Sequence, residues 1–325
     1  MAIHQIDEKD YIRWDDYVDN HPDGTIFHSS KWLKSQQGNL SILIKENDGR
    51  IVGGVAFVEK KRFGIKGIHN VPYTPYRGPL FGDIKSEKHF FSVSKKNEFI
   101  EELTKTLNYG HVEFLLTSND FNTLPYKWEG FTEQRLVTYQ INNINSYSLS
   151  SVNSNKRREI EKFLNQIDLG EIEVLINEEL DAILELQNET GSRAGFKPKI
   201  NDLKSLLESI SGSYFSIGLR SKKFGLFSGG IFPFDKTTVY NLINGSKRID
   251  HPVYKNSNVF LLYQAIMISK EKNKTFDFEG SSIKGVEQFY RMMGGVQQTR
   301  YRVLKSKNPF YFGLRAFQQW RQERK

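Results

Sequence analysis

The chain contains no cysteine, and this absence excludes disulfide bonds, cysteine-ligated zinc, iron–sulfur clusters and a thiolate nucleophile. It also lacks any apolar run approaching the ~20 residues that a membrane-spanning helix needs. The first residues, MAIHQIDEKDYIRWDD, have no apolar core and include acids early on, so they do not resemble a secretory signal. These absences predict a soluble, cytoplasmic protein without an integral membrane span.

Several catalytic motifs are missing as well. The sequence has no GxGxxG, Walker A, HExxH or GxSxG pattern, so it gives no support for dinucleotide binding, P-loop hydrolysis, zincin chemistry or α/β-hydrolase chemistry. The seven histidines are scattered without metal-ligand spacing. We interpret His28 and His251 as surface or capping residues and expect no metal site.

The chain does contain enough apolar material for about two globular domains. It has 325 residues, of which 38% are hydrophobic and 13% aromatic, a composition that excludes global disorder. Its 46 Lys and Arg residues outnumber its 38 acids, which gives a net charge of +8. This modest excess favours anionic partners such as phosphates, RNA or a membrane surface.

A polar segment divides the chain into two halves of similar size. Residues 142–155, NNINSYSLSSVNSN, are mostly Asn and Ser, which favour turns over regular structure. We therefore predict an N-terminal domain over residues 1–145 and a C-terminal domain over residues 150–305.

The two halves share one order of elements, in which two helices precede a β-hairpin. The hairpin strands are predicted at 40–45 and 50–58 in the first half, and at 214–219 and 224–234 in the second. The segments IVGGVAF and LFSGGIF place a Gly-Gly pair in each hairpin, offset by 229 − 53 = 176 residues. The repeat indicates an ancient duplication, with each half of the α+β (mixed α/β) class, a mixed sheet with helices on its faces.

An amphipathic helix is predicted over residues 153–169, because apolar residues recur there at i, i+3, i+4 and i+7. Its first turn holds Lys156, Arg157 and Arg158, where the helix dipole disfavours each cation by ~0.3–1 kcal/mol. Either an anion such as a phosphate compensates these charges, or Arg157 pairs with Glu161 on a solvated face. The sequence leaves both interpretations open.

A strand predicted at 238–244 leads through the loop GSKRIDHPVYKN into a helix that starts near Asn258. This helix, VFLLYQAIMIS, is apolar on all sides, which predicts that it is buried. A buried helix that follows a strand and a loop is where α/β folds place acyl or phosphate ligands. An ordinary core helix capped by Ser257 or Asn258 fits the pattern at least as well.

The segment FDFEGSS predicts a strand that ends in a tight turn. Its phenylalanines alternate with Asp277 and Glu279, so one face of the sheet is apolar and the other carries two carboxylates. These carboxylates either bind an ammonium group or accept a proton, or they pair with Lys284 or with the arginines of the last predicted strand, residues 296–304.

The segment NVPYTPYRGPLFG, residues 70–82, contains three prolines and predicts a stiff, ordered loop. Rigid aromatic loops line pockets, and Tyr73, Tyr76 and Arg77 would there hold an anionic substrate. A loop that seals the edge of a sheet is the alternative.

Four segments together resemble the FemAB-like branch of the GNAT acyltransferase superfamily. They are TIFHSSKW at 25–32, PYTPYRGP at 72–79, SNKRREIEKF at 154–163 and, as the most specific, FDFEGSSIKGVEQFYRMMGG at 276–295. The resemblance spans nearly the whole chain. It implies two tandem GNAT-like domains, a C-terminal helix over residues 306–325 that packs back on the first domain, and acyl transfer to an amine.

One departure from ordinary GNAT enzymes bears on the acyl donor. The [Q/R]xxGx[G/A] turn that holds the coenzyme A pyrophosphate should precede the helix near Asn258, whereas SKRIDHPVYKNSN contains no glycine. This favours an activated ester on another anionic carrier, such as aminoacyl-tRNA, with acetyl-CoA as the weaker candidate. Lys247 and Arg248 would help to hold the carrier.

The leading hypothesis is therefore an N-acyltransferase that moves an acyl or aminoacyl group to an amine-bearing small molecule or to a cell-wall or polysaccharide precursor. The predicted catalytic residues are Asp277, Glu279 and Tyr240. The predicted substrate-binding residues are Lys34, Tyr73, Tyr76, Arg77, Arg158, Lys162, Asn244 and Asn258. The alternatives are a non-catalytic module of the same fold that binds an anion, RNA or a glycolipid, and an acetyl-CoA-dependent N-acetyltransferase.

Overall fold

The computed structural model describes residues 2–82, 89–120, 122–195, 198–280, 283–308 and 313, without the side chains of residues 89–92 and 194. The chain divides into two compact units. Unit 1 comprises the residues up to Val137 and those from Thr299 onward, and unit 2 is Thr138–Gln298. The helix predicted over residues 306–325 lies outside the described residues, except for residues 306–308 and 313.

The helices of the described residues are, in chain order, α1 Tyr11–Asn20, α2 Ser30–Lys34, α3 His89–Thr106, α4 Leu124–Trp128, α5 Ser154–Asp168, α6 Leu180–Ala194, α7 Ile200–Ser209, α8 Ser257–Glu271 and α9 Lys284–Met292. The strands are β1 His4–Gln5, β2 Asn39–Asn47, β3 Arg50–Arg62, β4 Ile65–Ile68, β5 Leu80–Phe81, β6 His111–Leu115, β7 Thr132–Ile141, β8 Ile172–Ile176, β9 Tyr214–Ser221, β10 Gly225–Pro233, β11 Thr238–Tyr240, β12 Ile243–Ser246, β13 Thr275–Asp277 and β14 Val296–Ser306. None of the described helices combines the length and the apolarity that crossing a bilayer requires.

Unit 1 contains a mixed sheet in the order β1-β2-β3-β4-β6-β14, with β5 also paired to β3. The predicted hairpin is present as β2 and β3, which pair antiparallel from Leu40↔Val58 to Asn47↔Arg50. Helix α3 covers this sheet, and its Phe99, Ile100 and Leu103 are buried against residues of β3 and β6.

Unit 2 contains a four-stranded antiparallel sheet in the order β12-β10-β9-β8, and a second set of strands in which β11 runs parallel to β13. Helix α8 is buried on nearly all sides, as its sequence predicts, and it packs on α5 through the stacked rings of Phe163 and Phe260, 5.1 Å apart. The N-cap of α5 is Asn153, whose side chain accepts a hydrogen bond from the Asn155 N–H at 3.1 Å.

In both units a segment of chain moves from one neighbouring strand to another. In unit 1, β4 lies between β3 and β6, and the following segment bridges to β6 at Arg77↔Leu115 before β5 pairs with β3 opposite Gly53 and Gly54. In unit 2, β11 runs parallel to β13, and two residues later β12 pairs with β10, opposite Gly229 and Gly230. The strand predicted at 238–244 is interrupted for this reason. This repeated change of neighbouring strand interrupts the pairing at one point in each unit.

Candidate active site

A cavity of about 660 Å³ lies in unit 1 where the sheet opens. One wall is the segment Gly78–Phe81, which carries β5, and the facing wall is formed by residues that directly follow β6, among them Leu116, Thr117 and Asp120. Because neighbouring strands part here, the backbone between them leaves a crevice beyond the carboxyl end of β6. This is the position at which open α/β sheets bind ligands.

The polar centre of the cavity is an ion pair. Lys96 of α3 donates a hydrogen bond from Nζ to Oδ1 of Asp120. Asp120 is the last residue of a turn, in which its backbone N–H donates to the Thr117 carbonyl at 3.2 Å. The two side chains are only 21% and 11% exposed. Burial raises the pKa of the Asp120 carboxyl even though Lys96 acts in the opposite direction.

Two further groups lie close to this pair. Asp23 lines the cavity, and His21 is buried and accepts the Asp23 N–H on Nδ1 at 3.0 Å. Burial lowers the pKa of His21, so its imidazole is neutral at pH 7. The site therefore contains two carboxyl groups and one ammonium group, with a neutral histidine beside them.

His28 fixes the wall of the cavity. Its ring is 1% exposed, joins the Thr25 hydroxyl through Nδ1 at 2.8 Å and accepts the Gly78 N–H through Nε2 at 3.3 Å. Burial lowers the pKa of His28 to about 3, so the ring stays neutral. The interpretation of His28 as a capping residue is confirmed by its capping box with Thr25, whereas a surface position is wrong.

This arrangement suits proton transfer at an amine. A carboxyl group whose pKa is raised by burial accepts a proton more readily near neutral pH than a solvated one. The remaining lining is largely apolar, with Leu80, Phe81, Val93, Leu116 and Leu124, which accommodates the carbon chain of a small substrate.

In unit 2 the structure corrects the role predicted for Asp277, at the end of β13. Its side chain is fully buried, Oδ1 accepts hydrogen bonds from Thr138 Oγ1 and the Glu279 N–H, and Oδ2 accepts one from Gln140 Nε2 at 2.9 Å. A carboxylate enclosed in this way supports the turn after β13. It does not face a substrate.

Glu279 and Asn244 lie near this turn and are half-buried. Glu279 has a left-handed backbone at φ 62° and acts, together with burial, to raise the pKa of Tyr290 to about 12. Asn244 of β12 donates from Nδ2 to Oδ1 of Asn241 at 2.5 Å. Tyr240 is buried, and its hydroxyl donates to Asp235 Oδ2 at 2.6 Å, so its side chain stabilises the start of β11.

The residues predicted to bind the donor lie on the surface of unit 2. Arg158 and Lys162 are exposed on α5, and Asn258 is exposed in the first turn of α8. Arg157 does not pair with Glu161, because its guanidinium donates to the carbonyls of Ser150 and Val152 at 3.2 Å.

A second group of basic residues surrounds the loop before α8. The loop packs on the β9–β10 turn through Tyr254, whose ring meets that of Phe224 at 5.2 Å, and Lys247 Nζ reaches the Phe224 carbonyl at 3.4 Å. We call this region the basic loop surface and define it by Lys222, Lys223, Phe224, Lys247, Arg248, His251, Tyr254 and Lys255. It combines five cations with aromatic rings.

The residues predicted for the acceptor lie in unit 1, and two of them, Arg77 and Tyr76, need correction. Arg77 is fully buried, donating from Nη1 to the His69 carbonyl and from Nη2 to the Glu113 carbonyl at 2.7 Å. Its side chain attaches the loop to β6, and no part of it is exposed to a substrate. Tyr76 is also buried, with the Arg300 guanidinium 5.1 Å from its ring.

Tyr73 is half-buried with φ 55°, and Lys34 is exposed at the end of α2, where it pairs with Glu8. Neither side chain lines the cavity, which the 70–82 loop reaches through Gly78, Pro79, Leu80 and Phe81.

Sequence reasoning missed Asp120 and Lys96. A signal for Asp120 was present, because HVEFLL is an apolar strand followed at once by the polar turn TSND. In the second half, the alternation of Asp277 and Glu279 with phenylalanines led to the prediction of Asp277 instead. Nothing in the sequence marks Lys96, which is one of several lysines on α3.

Comparison with known proteins shows which solved structures have a similar fold. No protein-family model and no curated protein matches the chain. Among solved structures, FemX is 15% identical with a TM-score of 0.70, over 93% of this chain and 97% of that chain. The C-terminal domain of a protein described as a lysylphosphatidylglycerol synthetase from Agrobacterium fabrum is 11% identical with a TM-score of 0.58, over 94% and 95% of the two chains.

A tandem GNAT protein from the clavulanic acid biosynthesis pathway is 8% identical with a TM-score of 0.55, over 95% of this chain and 99% of that chain. At these identities the likeness concerns the fold. The predicted fold class is confirmed: the chain has a mixed α/β fold similar to those of FemX and of the tandem GNAT protein.

Proposed function

We propose that this protein is an N-acyltransferase that binds an amine acceptor in the cavity of unit 1 and uses Asp120 as the general base. The observation that carries the proposal is a buried carboxyl group with a raised pKa on the wall of a cavity of about 660 Å³, at the point where β5 and β6 part. The likeness of the fold to FemX and to a tandem GNAT protein supports acyl transfer as the reaction.

The chemistry needs little beyond positioning and one proton acceptor. The amine nitrogen attacks the carbonyl carbon of an activated ester, a C–N bond forms, and the C–O bond to the carrier breaks. An acceptor that enters as an ammonium ion first releases one proton to solvent. The second proton, lost by the amine nitrogen as the C–N bond forms, passes to Asp120 and from there to the departing oxygen. Holding the two reactants in contact supplies much of the rate enhancement, and the base contributes roughly 10²–10⁴-fold.

The donor in this proposal is an acyl or aminoacyl group on an anionic carrier, with aminoacyl-tRNA preferred to acetyl-CoA. The segment 246–258, SKRIDHPVYKNSN, has no glycine, so its backbone is not of the kind that approaches a pyrophosphate closely. The basic loop surface, together with Arg158, Lys162 and Asn258, offers cations instead, beside the half-buried ring of Phe224. The phosphates of RNA bind such groups of cations.

The acceptor class follows from the cavity. Two carboxyl groups, Asp23 and Asp120, attract an ammonium group before it loses its proton, and the apolar lining packs on a carbon chain. An amine-bearing small molecule or the amine of a cell-wall or polysaccharide precursor has this chemistry.

The decisive experiment measures transfer by the full chain. Total tRNA charged with radiolabelled amino acids, or radiolabelled acetyl-CoA, is incubated with a panel of primary amines: glucosamine, Nα-acetyl-lysine and a nucleotide-sugar peptide. We expect labelled amide product with aminoacyl-tRNA, and we expect Asp120→Asn to lower kcat by about 10²-fold or more. Asp16→Asn, an exposed acid on α1, is the matched control and should keep the wild-type rate.

Each negative outcome has a definite meaning. RNA binding without product from any donor would favour the non-catalytic module and end the transferase proposal. If product formed only with acetyl-CoA, the donor would be acetyl-CoA and not aminoacyl-tRNA. A full rate in Asp120→Asn would remove Asp120 as the base while leaving acyl transfer intact.

A further inference from the structure

The two oxygens of the Asp120 carboxylate differ in their surroundings. Oδ1 accepts the hydrogen bond from Lys96 Nζ, whereas no hydrogen bond from the described residues reaches Oδ2. Because Asp120 lines the cavity and its side chain keeps 11% exposure, Oδ2 is the oxygen that a substrate can reach.

The titratable groups around Asp120 come from three places. Lys96 lies on α3, His21 and Asp23 follow α1, and Tyr126 of α4 is buried nearby. Asp23 acts to raise the pKa of Asp120, while Lys96 and His21 act to lower it. Since burial keeps His21 neutral at pH 7, Lys96 is the cation that stabilises the Asp120 carboxylate among the described residues that face it.

We propose that Lys96 is a positioning residue for the general base: it fixes Oδ1 of Asp120, keeps the carboxylate ionised and turns Oδ2 toward the acceptor amine. This inference rests on the proposed acyl transfer. Lys96 itself touches neither reacting atom. Its ammonium group lowers the pH at which Asp120 becomes a competent base, because an opposite charge in contact lowers a carboxyl pKa by about 1–3 units.

The test compares Lys96→Met with Lys96→Arg in the transfer assay with aminoacyl-tRNA and Nα-acetyl-lysine. Methionine keeps the length of the side chain but removes the charge, so we expect kcat to fall about 10- to 100-fold with KM for the donor unchanged. The acidic limb of the pH–rate profile should move up by about 1–2 pH units. Arginine retains the charge and should restore the acidic limb to its wild-type position and most of kcat.

Lys45→Met is the matched control. Lys45 pairs with Glu102 of α3 at 2.6 Å, and the two side chains are 25% and 30% exposed, so this variant also removes a half-buried ion pair on the same helix. It should leave both kcat and the pH profile unchanged. Circular dichroism melting of all variants separates loss of fold from loss of the base.

A titration of the Asp120 carboxyl carbon by NMR gives a readout that needs no substrate. We expect its apparent pKa to rise in Lys96→Met and to return in Lys96→Arg. An unchanged acidic limb in Lys96→Met, with a wild-type enzyme that transfers acyl groups, overturns the role of Lys96 and leaves the proposed function standing. Absence of transfer by the wild-type protein overturns the proposed function, and this inference with it.

Discussion

Gly54 of β3 lies directly against the indole of Trp14 in α1. A Cβ atom at Gly54 would come 2.7 Å from Cζ3 of that ring and 2.6 Å from the carbonyl oxygen of Leu43. Trp14 is fully buried, and its Nε1 donates to the His28 carbonyl at 2.8 Å. The glycine therefore lets the helix approach the sheet, and the helix end in turn carries His21 and Asp23 to the cavity.

Gly54→Ala should destabilise unit 1 because neither the carbonyl of Leu43 nor the enclosed indole can move aside without cost. We expect a loss of about 1–3 kcal/mol in the free energy of unfolding, as for other overpacked sites. Urea unfolding followed by tryptophan fluorescence measures it. Gly285→Ala is the control, since a Cβ there meets nothing within 4 Å and alanine favours the helix α9. Equal stability of the two variants would contradict the packing argument.

Arg77→Met should be more damaging. The guanidinium satisfies the carbonyls of His69 and Glu113 in the interior, and its removal leaves both without that donor. Each unsatisfied buried group costs about 1–3 kcal/mol, so we expect a loss of about 2–5 kcal/mol. Arg77→Lys should rescue little, because a single ammonium cannot replace the planar fork. A stable Arg77→Met protein that loses only acceptor binding would restore the role predicted from sequence.

The fold was predictable because its signals are local. The first hairpin was predicted from two apolar runs, and in the turn between them, Asn47-Asp48-Gly49, Asp48 and Gly49 adopt positive φ angles of 50° and 74°. The uniformly apolar α8 predicted its own burial. Such features depend on residues close in sequence, and the order of elements in both halves follows from them.

The site was less predictable because it depends on contacts between distant residues. Alternation correctly placed Asp277 on the face opposite the phenylalanines, yet Thr138 and Gln140, 139 and 137 residues away, occupy that face and enclose the carboxylate. Asp120 gains its surroundings only because α3 brings Lys96 to it and because the chain after Arg77 turns away from β6 to form β5 against β3. No window of sequence contains these relationships.

Stability should fall as the pH is lowered from about 6.5 toward 4. His28 has an ordinary pKa near 6.5 in the unfolded chain but about 3 in the fold, and the pKa of His69 is lowered to about 4 by burial. Between its folded and unfolded pKa values, each of these histidines binds more protons in the unfolded chain than in the folded protein. Lowering the pH therefore favours unfolding by up to about 1.4 kcal/mol per pH unit for each histidine.

The variant that checks this is His28→Gln, which keeps a donor and an acceptor at the capping box but does not titrate. Melting temperatures recorded from pH 4 to 7 should depend less steeply on pH than those of the wild-type protein, with the remaining slope owed in part to His69. Identical slopes would show that His28 is not buried neutral.

The basic loop surface should determine how RNA binding depends on salt. Each cation that neutralises a phosphate contributes about 0.7–0.9 to the slope of log K against log salt, so Lys247→Ala/Arg248→Ala should lower the slope by about 1.4–1.8. Fluorescence anisotropy with labelled tRNA measures this. The control, Lys199→Ala/Lys204→Ala, removes two exposed lysines of unit 2 that pair with Asp202 and Asp181 and should leave the slope unchanged. Equal losses in both double variants would mean that RNA responds to net charge alone, and the donor would then have to bind elsewhere.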